Sequence, residues 1–355
     1  MTSPQFIHLR LHSEFSIVDG LVRIDDVVDA AAKDQQAALA MTDLSNLFGM
    51  IKFYKAARGK GIKPIVGCDV WITNDDERDK PSRLLLLVKN QAGYLQLCEL
   101  LSKAWLTNLH RGRAEIRAEW LAQDGAPGLI ALSGAHFGDV GIAIENGNLA
   151  AAERCALRWA AIFKDSFYIE VQRAGQANME PHVRQAVALA ARLKLPVVAT
   201  HPIQFLSPQE FIAHEARTCI AEGEILANSR RIKRFNDQQC FKTQAEMAEL
   251  FADMPAAVQN TIEIAKRCNL TLELGKPRLP DFPTPGGVGI DEFLVQQAHE
   301  GLDKRLAHLY PNEAERDQQR ARYEARLKFE TRHHHQDGVP RLLPDRGRLY
   351  PVGQE

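Results

Sequence analysis

Residues that could carry chemistry are concentrated in one stretch near the amino terminus, residues 6–20. This stretch begins with alternating apolar and polar residues, which is typical of a β-strand, and residues two apart on a strand share one face. The alternation predicts that His8, Arg10 and His12 project together. Asp19, which is followed by a glycine, can return a carboxylate to the same face through a turn. Imidazoles and an acid at one strand end are the beginning of a metal-dependent phosphoesterase site.

A simpler interpretation of the same stretch stays open at this point. Histidines at this spacing also occur as polar residues on half-buried strands that bind no ligand. The choice between the two depends on the elements that position the stretch and on the residues that those elements bring to it.

The pattern along the rest of the chain predicts an α/β fold. Strand-like and helix-like segments alternate as far as residue 200, which is typical of parallel strands surrounded by helices. Seven strands predict a closed or nearly closed barrel, whose functional residues gather at the carboxyl ends of the strands. The predicted strands are residues 6–11, 37–43, 62–72 with a turn at 67–69, 83–88, 129–133, 167–171 and 196–200. The residues expected at the barrel mouth are Arg10, His12, Asp19, Asp43, Asp69 and His201.

Helices are predicted where apolar residues recur at helical spacing. One includes Ile24, Val27, Val28 and Ala31, and Asn46 is predicted to cap the next. Further helices are predicted over residues 92–105, 149–163, 244–251 and 255–268, with another ending near 194.

Composition excludes several classes of function. The 355 residues carry a net charge of −1, so there is no global electrostatic attraction to nucleic acid. The six cysteines contain no C-x2-C pair, which argues against a zinc ribbon or a disulfide framework and fits a reduced cytoplasm. The apolar runs are too short to cross a membrane, and the start of the sequence does not resemble an export signal. A local basic cluster, Arg230, Arg231, Lys233 and Arg234, is interpreted as a solvated loop rather than a DNA contact.

Five motifs resemble one known family. They are HLRLHSEFSIVDG, MTDLSNLFGMIKFYKAARGKGIKPIVGCDVWI, LIALSGAHFGDVG, LPVVAT and ELFADMPAAVQNTIEIAKRCN. In order and with few gaps, residues 5–329 resemble the N-terminal part of the bacterial DNA polymerase III α subunit family, which begins with a polymerase and histidinol phosphatase (PHP) domain. The resemblance implies a distorted seven-stranded barrel of the PHP type, with metal ligands at its mouth in members with an intact site.

The ligand pattern implied by this resemblance is largely absent from the sequence. His12 and Asp19 stand at ligand positions, and Asp69 stands where a glutamate is expected. The other ligand positions are occupied by residues that do not bind such metals: Arg10, Leu44, Arg83, Ala135, Pro202 and Gln204. A multinuclear site needs several anionic or imidazole ligands, so no metal is expected, and His12, Asp19 and Asp69 are only residual candidates.

Two of these replacements place fixed positive charge where a cation would bind. We expect Arg10 and Arg83 to pair with Asp19 and Asp69 and to replace the metals electrostatically. His136 and His201 lie beside lost ligand positions and are interpreted as polar residues left in the cleft, and His214 as a helix residue with local contacts.

The expected domain organisation follows the same resemblance. Residues 1–275 are predicted to form the PHP domain, 276–290 a proline- and glycine-rich linker, and 291–330 the helical start of the polymerase palm region. Residues 331–355 depart from the family, and reading freely chosen codons one base out of phase yields a family-like segment. We therefore predict that this tail is a disordered frameshift product.

The resemblance implies a role in DNA replication. In this family the Mg2+-binding carboxylates of the polymerase lie beyond the present chain, so DNA contact is expected only through those regions. The chain is expected to act as a structural PHP module that supports the palm and docks the ε proofreading exonuclease subunit within the holoenzyme. The alternative is a metal-dependent phosphoesterase or a 3'-5' exonuclease of the PHP superfamily.

Overall fold

The structure is a computed structural model that describes residues 5–123, 125–176, 178–228, 230–276 and 283–336. The chain divides into two units, Met1–Thr271 and Leu272–Glu355. In the described residues no helix is long and apolar enough to cross a membrane. The six cysteines are free thiols, as their spacing predicts.

A mixed sheet forms the centre of the first unit. Its strands are β1 (Ala38–Met41), β2 (Lys63–Ile72), β3 (Ser82–Val88), β4 (Leu109–His110), β5 (Arg113–Ile116), β6 (Leu129–Leu132), β7 (Phe167–Gln172) and β8 (Val197–Thr200). The order is β4-β5-β2-β3-β6-β7-β8, and β1 pairs with β2. The predicted α/β architecture is confirmed.

Helices surround this sheet and form the second unit. They are α1 (Ile24–Lys33), α2 (Met50–Gly59), α3 (Gln91–Thr107), α4 (Ala118–Gln123), α5 (Asp139–Glu145), α6 (Leu149–Ile162), α7 (Met179–Leu193), α8 (Phe211–Glu222), α9 (Gln244–Leu250), α10 (Pro255–Arg267), α11 (Ile290–Leu309) and α12 (Glu313–Gln336). The apolar residues that predict α1 are the ones it buries. The cap predicted for α2 is wrong: Gly49 precedes the helix, and the Asn46 amide instead donates to the carbonyls of Phe15 and Leu44.

The first predicted strand, residues 6–11, is an extended segment without a regular ladder. Its backbone forms hydrogen bonds on both sides: Ala40 N donates to His8 O at 2.9 Å, and His12 N, directly after the segment, donates to Ile203 O at 2.9 Å. The Thr42 hydroxyl accepts from Leu11 N at 3.0 Å, and this side-chain bond interrupts the ladder. The segment thereby joins β1 to the chain that follows β8 and completes the barrel.

The expectation that all strands are parallel is wrong for β3, which runs antiparallel to both β2 and β6. The connection over residues 73–81 contains no helix, so the chain turns directly back along β2. The predicted turn at residues 67–69 is also wrong, because β2 is continuous there. A Cβ on Gly67 would lie 2.6 Å from Leu86 O, so this glycine permits the close approach of β3.

Sequence reasoning did not predict the β4–β5 hairpin. Its strands are short, and its turn is formed by Arg111 and Gly112 with φ of 48° and 76°. The hairpin extends the sheet beside β2 through parallel pairing of β5.

Apolar side chains fill the barrel interior. Leu85 and Leu87 of β3 meet Ile130 and Leu132 of β6 in one buried cluster. The cluster extends to Ile264 and Ala265 of α10 and to Cys268, which directly follows this helix. The helix α10 therefore covers one end of the barrel and leaves the opposite end for polar residues.

Contact between two glycines fixes α3 against the loop before β6. A Cβ on Gly93 would lie 1.9 Å from Gly128 O, and no side chain separates the two backbones. We expect Gly93→Ala to lower the free energy of unfolding by about 1–3 kcal/mol through overpacking, as measured by urea denaturation. Gly59→Ala is the control, because nothing lies within 4 Å of the Cβ it adds. Equal stabilities of the two variants would contradict this packing.

The second unit is an antiparallel helix pair as far as it is described. Leu306 of α11 is buried, and Arg320 of α12 donates to Asp303 of α11 at 2.7 Å. Helix α12 continues through Gln336 and so passes the predicted end at residue 330. Thr331 continues the helix, its hydroxyl donating to Leu327 O at 2.9 Å. Residues 277–282 of the predicted linker, and 337–355 of the predicted frameshift tail, lie outside the described residues.

Candidate functional site

The site at the barrel mouth is centred on Arg10. Its guanidinium donates to both carboxylate oxygens of Glu170, at 2.9 and 3.0 Å, and to Oδ2 of Asp69. All three side chains are at most 5% exposed. Two-point pairing of a planar guanidinium with a carboxylate is the strongest geometry for such a bond. Arg10 is therefore held by two buried anions from β2 and β7.

Arg83, on β3, also contacts the Asp69 carboxylate. Its Nη1 lies 3.2 Å from Asp69 Oδ2 and 3.4 Å from Asp19 Oδ2. The guanidinium also stacks on the Trp71 ring, with its carbon 4.4 Å from the ring centroid. Arg83 is the register partner of Trp71, which places it diagonally opposite Asp69. Asp69 thus lies between two guanidinium groups.

His12 joins the cluster through both ring nitrogens. Nδ1 lies 2.9 Å from Asp19 Oδ1, and Nε2 lies 3.4 Å from Asp69 Oδ2. Burial alone would lower the pKa of His12, but the charges and hydrogen bonds of Asp19 and Asp69 outweigh it and raise the pKa to about 9. Burial opposes ionisation of Asp69 as well, yet Arg10, Arg83 and His12 lower its pKa to about 2. The cluster is therefore a closed set of paired charges at neutral pH.

Glu170 is the member of the cluster that sequence reasoning missed. It also accepts from Gly134 N at 3.0 Å, the Gln172 amide at 3.1 Å and the Thr200 hydroxyl at 2.5 Å. The signal was present in the strand Phe-Tyr-Ile-Glu-Val-Gln, where alternation places Tyr168, Glu170 and Gln172 on one face. A glutamate on the inner face of a strand buried throughout needs a cationic partner.

The remaining ligand positions contribute no charged group. The Leu44 side chain is buried, while its backbone N–H donates to Ser16 Oγ at 3.0 Å. Ala135 begins a short helical turn with φ of 48°. Pro202 and Gln204 line a small cavity that is also bounded by Arg10, His12, Arg83 and His136.

Asp43 does not reach the ion pairs, although it was predicted at the mouth. Its carboxylate accepts from Ser13, from the backbone N–H at 2.6 Å and from the hydroxyl at 2.8 Å. Burial raises the pKa of Asp43 to about 6, against the opposing effect of the Ser13 hydrogen bonds. Asp43 therefore anchors the loop that carries Asp19.

Three other histidines lie outside the ion-pair cluster and contact backbone carbonyls. His8 was predicted to project with Arg10 and His12, but its Nε2 contacts Lys242 O at 2.7 Å, because the irregular first segment breaks the strand alternation. His201 also lies outside the cluster, with its Nε2 2.9 Å from Cys240 O. His214 reaches beyond its own helix and contacts Asp19 O at 2.8 Å, so the prediction of purely local contacts is wrong.

The buried His8 predicts a pH dependence of stability. Burial lowers the pKa of His8 to about 4 from an ordinary value of 6.5, so His8 binds a proton more tightly in the unfolded chain than in the folded one. Folding is therefore not opposed by protonation of His8 above pH 6.5, and the free energy of unfolding decreases as the pH falls from 6.5 toward 4. We expect wild type, relative to His8→Gln, to lose about 2 kcal/mol of unfolding free energy between pH 7 and pH 5.

Urea denaturation of both proteins at each pH measures this difference. Asp43 responds to pH in the opposite direction, because its pKa is raised, but it is common to both proteins and cancels. Parallel pH profiles for wild type and the variant would contradict the assignment to His8.

The geometry does not fit the metal centre of the PHP type. Among the described parts of the chain, no group of three or more His, Cys, Asp or Glu side chains could hold a metal ion. The Oδ2 oxygen of Asp69 is bound by Arg10 and Arg83 instead. A cation placed there would face two fixed positive charges and a histidine whose pKa of about 9 keeps it protonated.

Comparison with known proteins finds similarity over most of the chain. The PHP domain family matches residues 8–174. A DNA polymerase III subunit alpha from Neisseria meningitidis serogroup A is 50% identical over 334 residues, which are 93% of this chain and 29% of that protein. The Escherichia coli K12 protein of the same name is 42% identical over 340 residues, which are 96% of this chain and 29% of that protein.

Among solved structures, an amidohydrolase from Chromobacterium violaceum is 17% identical with a TM-score of 0.39, over 56% of this chain and 87% of that chain. The chain spans 29% of the length of the curated relatives above. Residues 8–174 therefore match the PHP domain family, and nearly all of the chain is similar to the N-terminal region of bacterial DNA polymerase III alpha subunits.

Proposed function

We propose that the chain is the N-terminal module of a replicative DNA polymerase that acts in the cytoplasm. Relatives named DNA polymerase III subunit alpha are 42–50% identical to nearly all of it, which supports a place in DNA replication. Template-directed synthesis, with Mg2+ as the metal, belongs in this proposal to regions outside the present chain.

Within that protein the PHP barrel has a structural role and works without a metal. The observation that carries this proposal is the pairing of Arg10 with Asp69 and Glu170, with Arg83 on the other side of Asp69. Buried carboxylates need positive charge, and divalent ions supply it in a metal-dependent barrel. Here two arginine side chains supply the positive charge, so the barrel mouth is stabilised by residues of the chain itself.

A rigid barrel of this kind suits a scaffold. We propose that it supports the polymerase palm and docks the ε proofreading exonuclease subunit of the holoenzyme. Co-purification tests this role: full-length alpha subunit carrying the wild-type barrel should retain the exonuclease subunit, and a polymerase lacking residues 1–271 should lose it. Retention by the truncated polymerase would assign docking to another region.

The alternative is a metal-dependent phosphoesterase or 3'-5' exonuclease. Hydrolysis of a phosphoester by a PHP barrel needs a metal-activated water, and the positions of Arg10 and Arg83 oppose the binding of that metal. Elemental analysis of the purified chain, combined with a phosphatase assay in added Mn2+, separates the two functions. We expect no stoichiometric Mn or Zn and no metal-stimulated hydrolysis; bound metal with activity would establish the alternative.

Direct DNA binding by the basic cluster at residues 230–234 is disfavoured by its pairing. Arg231 forms an ion pair with Glu215, and Arg234 lies 3.5 Å from Glu222. These pairs neutralise half of the cluster, so it offers little net charge to a phosphate backbone.

A further inference from the structure

A second group of cations lies at the end of the barrel away from the ion-pair cluster. Lys63 begins β2, whereas Asp69 lies near the other end of that strand. Lys89 directly follows β3, whereas Arg83 lies at its start. Arg267 is the last residue of α10, the helix that covers this end. We call these three residues the basal cations.

The basal cations are close neighbours in a partly buried setting. Lys89 Nζ and Arg267 Nη2 both donate to Ser166 Oγ, at 3.2 and 2.6 Å. Burial lowers the pKa of Lys89, and the charge of Arg267 lowers it further. All three charges also act on the buried thiol of Cys268, whose pKa burial raises to about 12 against their effect. Lys89 and Arg267 therefore place two like charges at one hydroxyl.

Their hydrogen-bond partners are uncharged. Arg267 Nη1 donates to the Tyr168 hydroxyl at 2.8 Å, and Lys63 Nζ donates to Ala265 O at 2.7 Å and Asn269 Oδ1 at 2.8 Å. Within the described ranges, no carboxylate forms an ion pair with any of the three. The buried arginines at the barrel mouth differ in this respect, since Arg10 and Arg83 each contact carboxylates.

The C-terminal end of α10 favours two of the three charges. Lys63 donates to a carbonyl in its last turn, and Arg267 is its last residue, where the helix dipole favours a cation. Lys89 lies outside that helix and, like Arg267, contacts a side-chain hydroxyl, whose oxygen offers lone pairs but no compensating charge. With one bond to Ser166, Lys89 also keeps donor protons for a further acceptor.

We propose that the basal cations form a binding site for a phosphate group, either as the free ion or as a phosphate monoester. A phosphate dianion supplies the missing negative charge and several acceptor oxygens at one point. Lysine and arginine together are the side chains that bind such groups most effectively. The site is separate from the barrel mouth and does not depend on the function proposed above.

Thermal denaturation of the chain in phosphate and in chloride, at matched ionic strength and neutral pH, tests the site. We expect phosphate to raise the Tm of wild type by about 3 °C or more. Lys89→Gln should abolish this rise and leave the Tm in chloride unchanged or higher, because it removes repulsion from Arg267. Lys55→Gln is the matched control, since Lys55 is exposed on α2 and should respond to phosphate as wild type does.

Adenosine monophosphate in place of phosphate distinguishes the two sources. A shift with both ligands indicates a site for monoesters, and a shift with phosphate alone indicates a site for the free ion. The proposal is overturned if wild type does not respond or if Lys89→Gln responds equally. It is also overturned if Lys89→Gln loses stability equally in chloride and phosphate, because Lys89 would then act only through its bond to Ser166.

Discussion

Replacing Arg10 by methionine is expected to lower the free energy of unfolding by about 3–5 kcal/mol, because it leaves a buried carboxylate without its cationic partner. Methionine keeps much of the side-chain volume but removes the guanidinium that is bound to both oxygens of Glu170. Glu170 would then be a buried carboxylate whose remaining donors are uncharged. Urea denaturation of wild type and Arg10→Met measures the loss.

Two further variants identify the cause of this loss. Arg154→Met removes an arginine from the exposed face of α6 and should change stability by less than about 0.5 kcal/mol. Adding Glu170→Gln to Arg10→Met removes the stranded charge and should restore part of the stability, giving a coupling energy in a double-mutant cycle. A loss below about 1 kcal/mol for Arg10→Met, or no coupling with Glu170, would show that the pair does not stabilise the barrel.

The second large effect is a gain of metal binding. Substituting both arginines, as Arg10→His and Arg83→His, removes two fixed charges next to Asp69 and adds imidazoles beside His12 and Asp19. Repulsion between a divalent ion and a single charge about 4 Å away exceeds about 4 kcal/mol at an effective dielectric constant near 20. We therefore expect the affinity for Zn2+ or Mn2+ to rise by at least about a thousandfold.

Titration calorimetry and elemental analysis of the dialysed protein measure that gain. The control adds Asp69→Asn to the two substitutions, since it removes the carboxylate that both arginines contact while the new imidazoles remain. The control should bind weakly. Equal metal affinities of wild type and the double variant would show that charge at these positions does not determine metal binding.

The sequence was sufficient to predict the cations of the site but not all of its anions. Arg10, Arg83, Asp19 and Asp69 were identified because the resemblance to a family marks their positions, and the structure brings all four together. Glu170 occupies no such position, and its burial depends on pairing of β6, β7 and β8. Local alternation places Glu170 on one face of its strand, but the pairings that bury this face join residues distant in the sequence, so the local pattern alone does not identify the partner of Glu170.

The same limit applies to the fold. Helices such as α1 were predicted well because their burial depends on a local periodicity. The direction of β3 depends on the loop that turns the chain back along β2. The irregularity of the first segment depends on the Thr42 hydroxyl, which accepts from Leu11 N in place of a backbone carbonyl. His8 was predicted beside Arg10 and His12 because the strand was assumed to be regular. Where the segment is irregular, residues two apart no longer share a face, and His8 contacts Lys242 instead.

The seam between the first segment and the chain after β8 has a consequence for biosynthesis. Leu11 pairs with Ile203, so the ring cannot close until about 190 further residues have been translated. At bacterial elongation rates this takes roughly 10 to 40 s, during which Arg10 has no Glu170 beside it for most of the interval. The nascent chain therefore emerges with an amino-terminal segment whose backbone lacks its partner at Ile203 until that residue is translated.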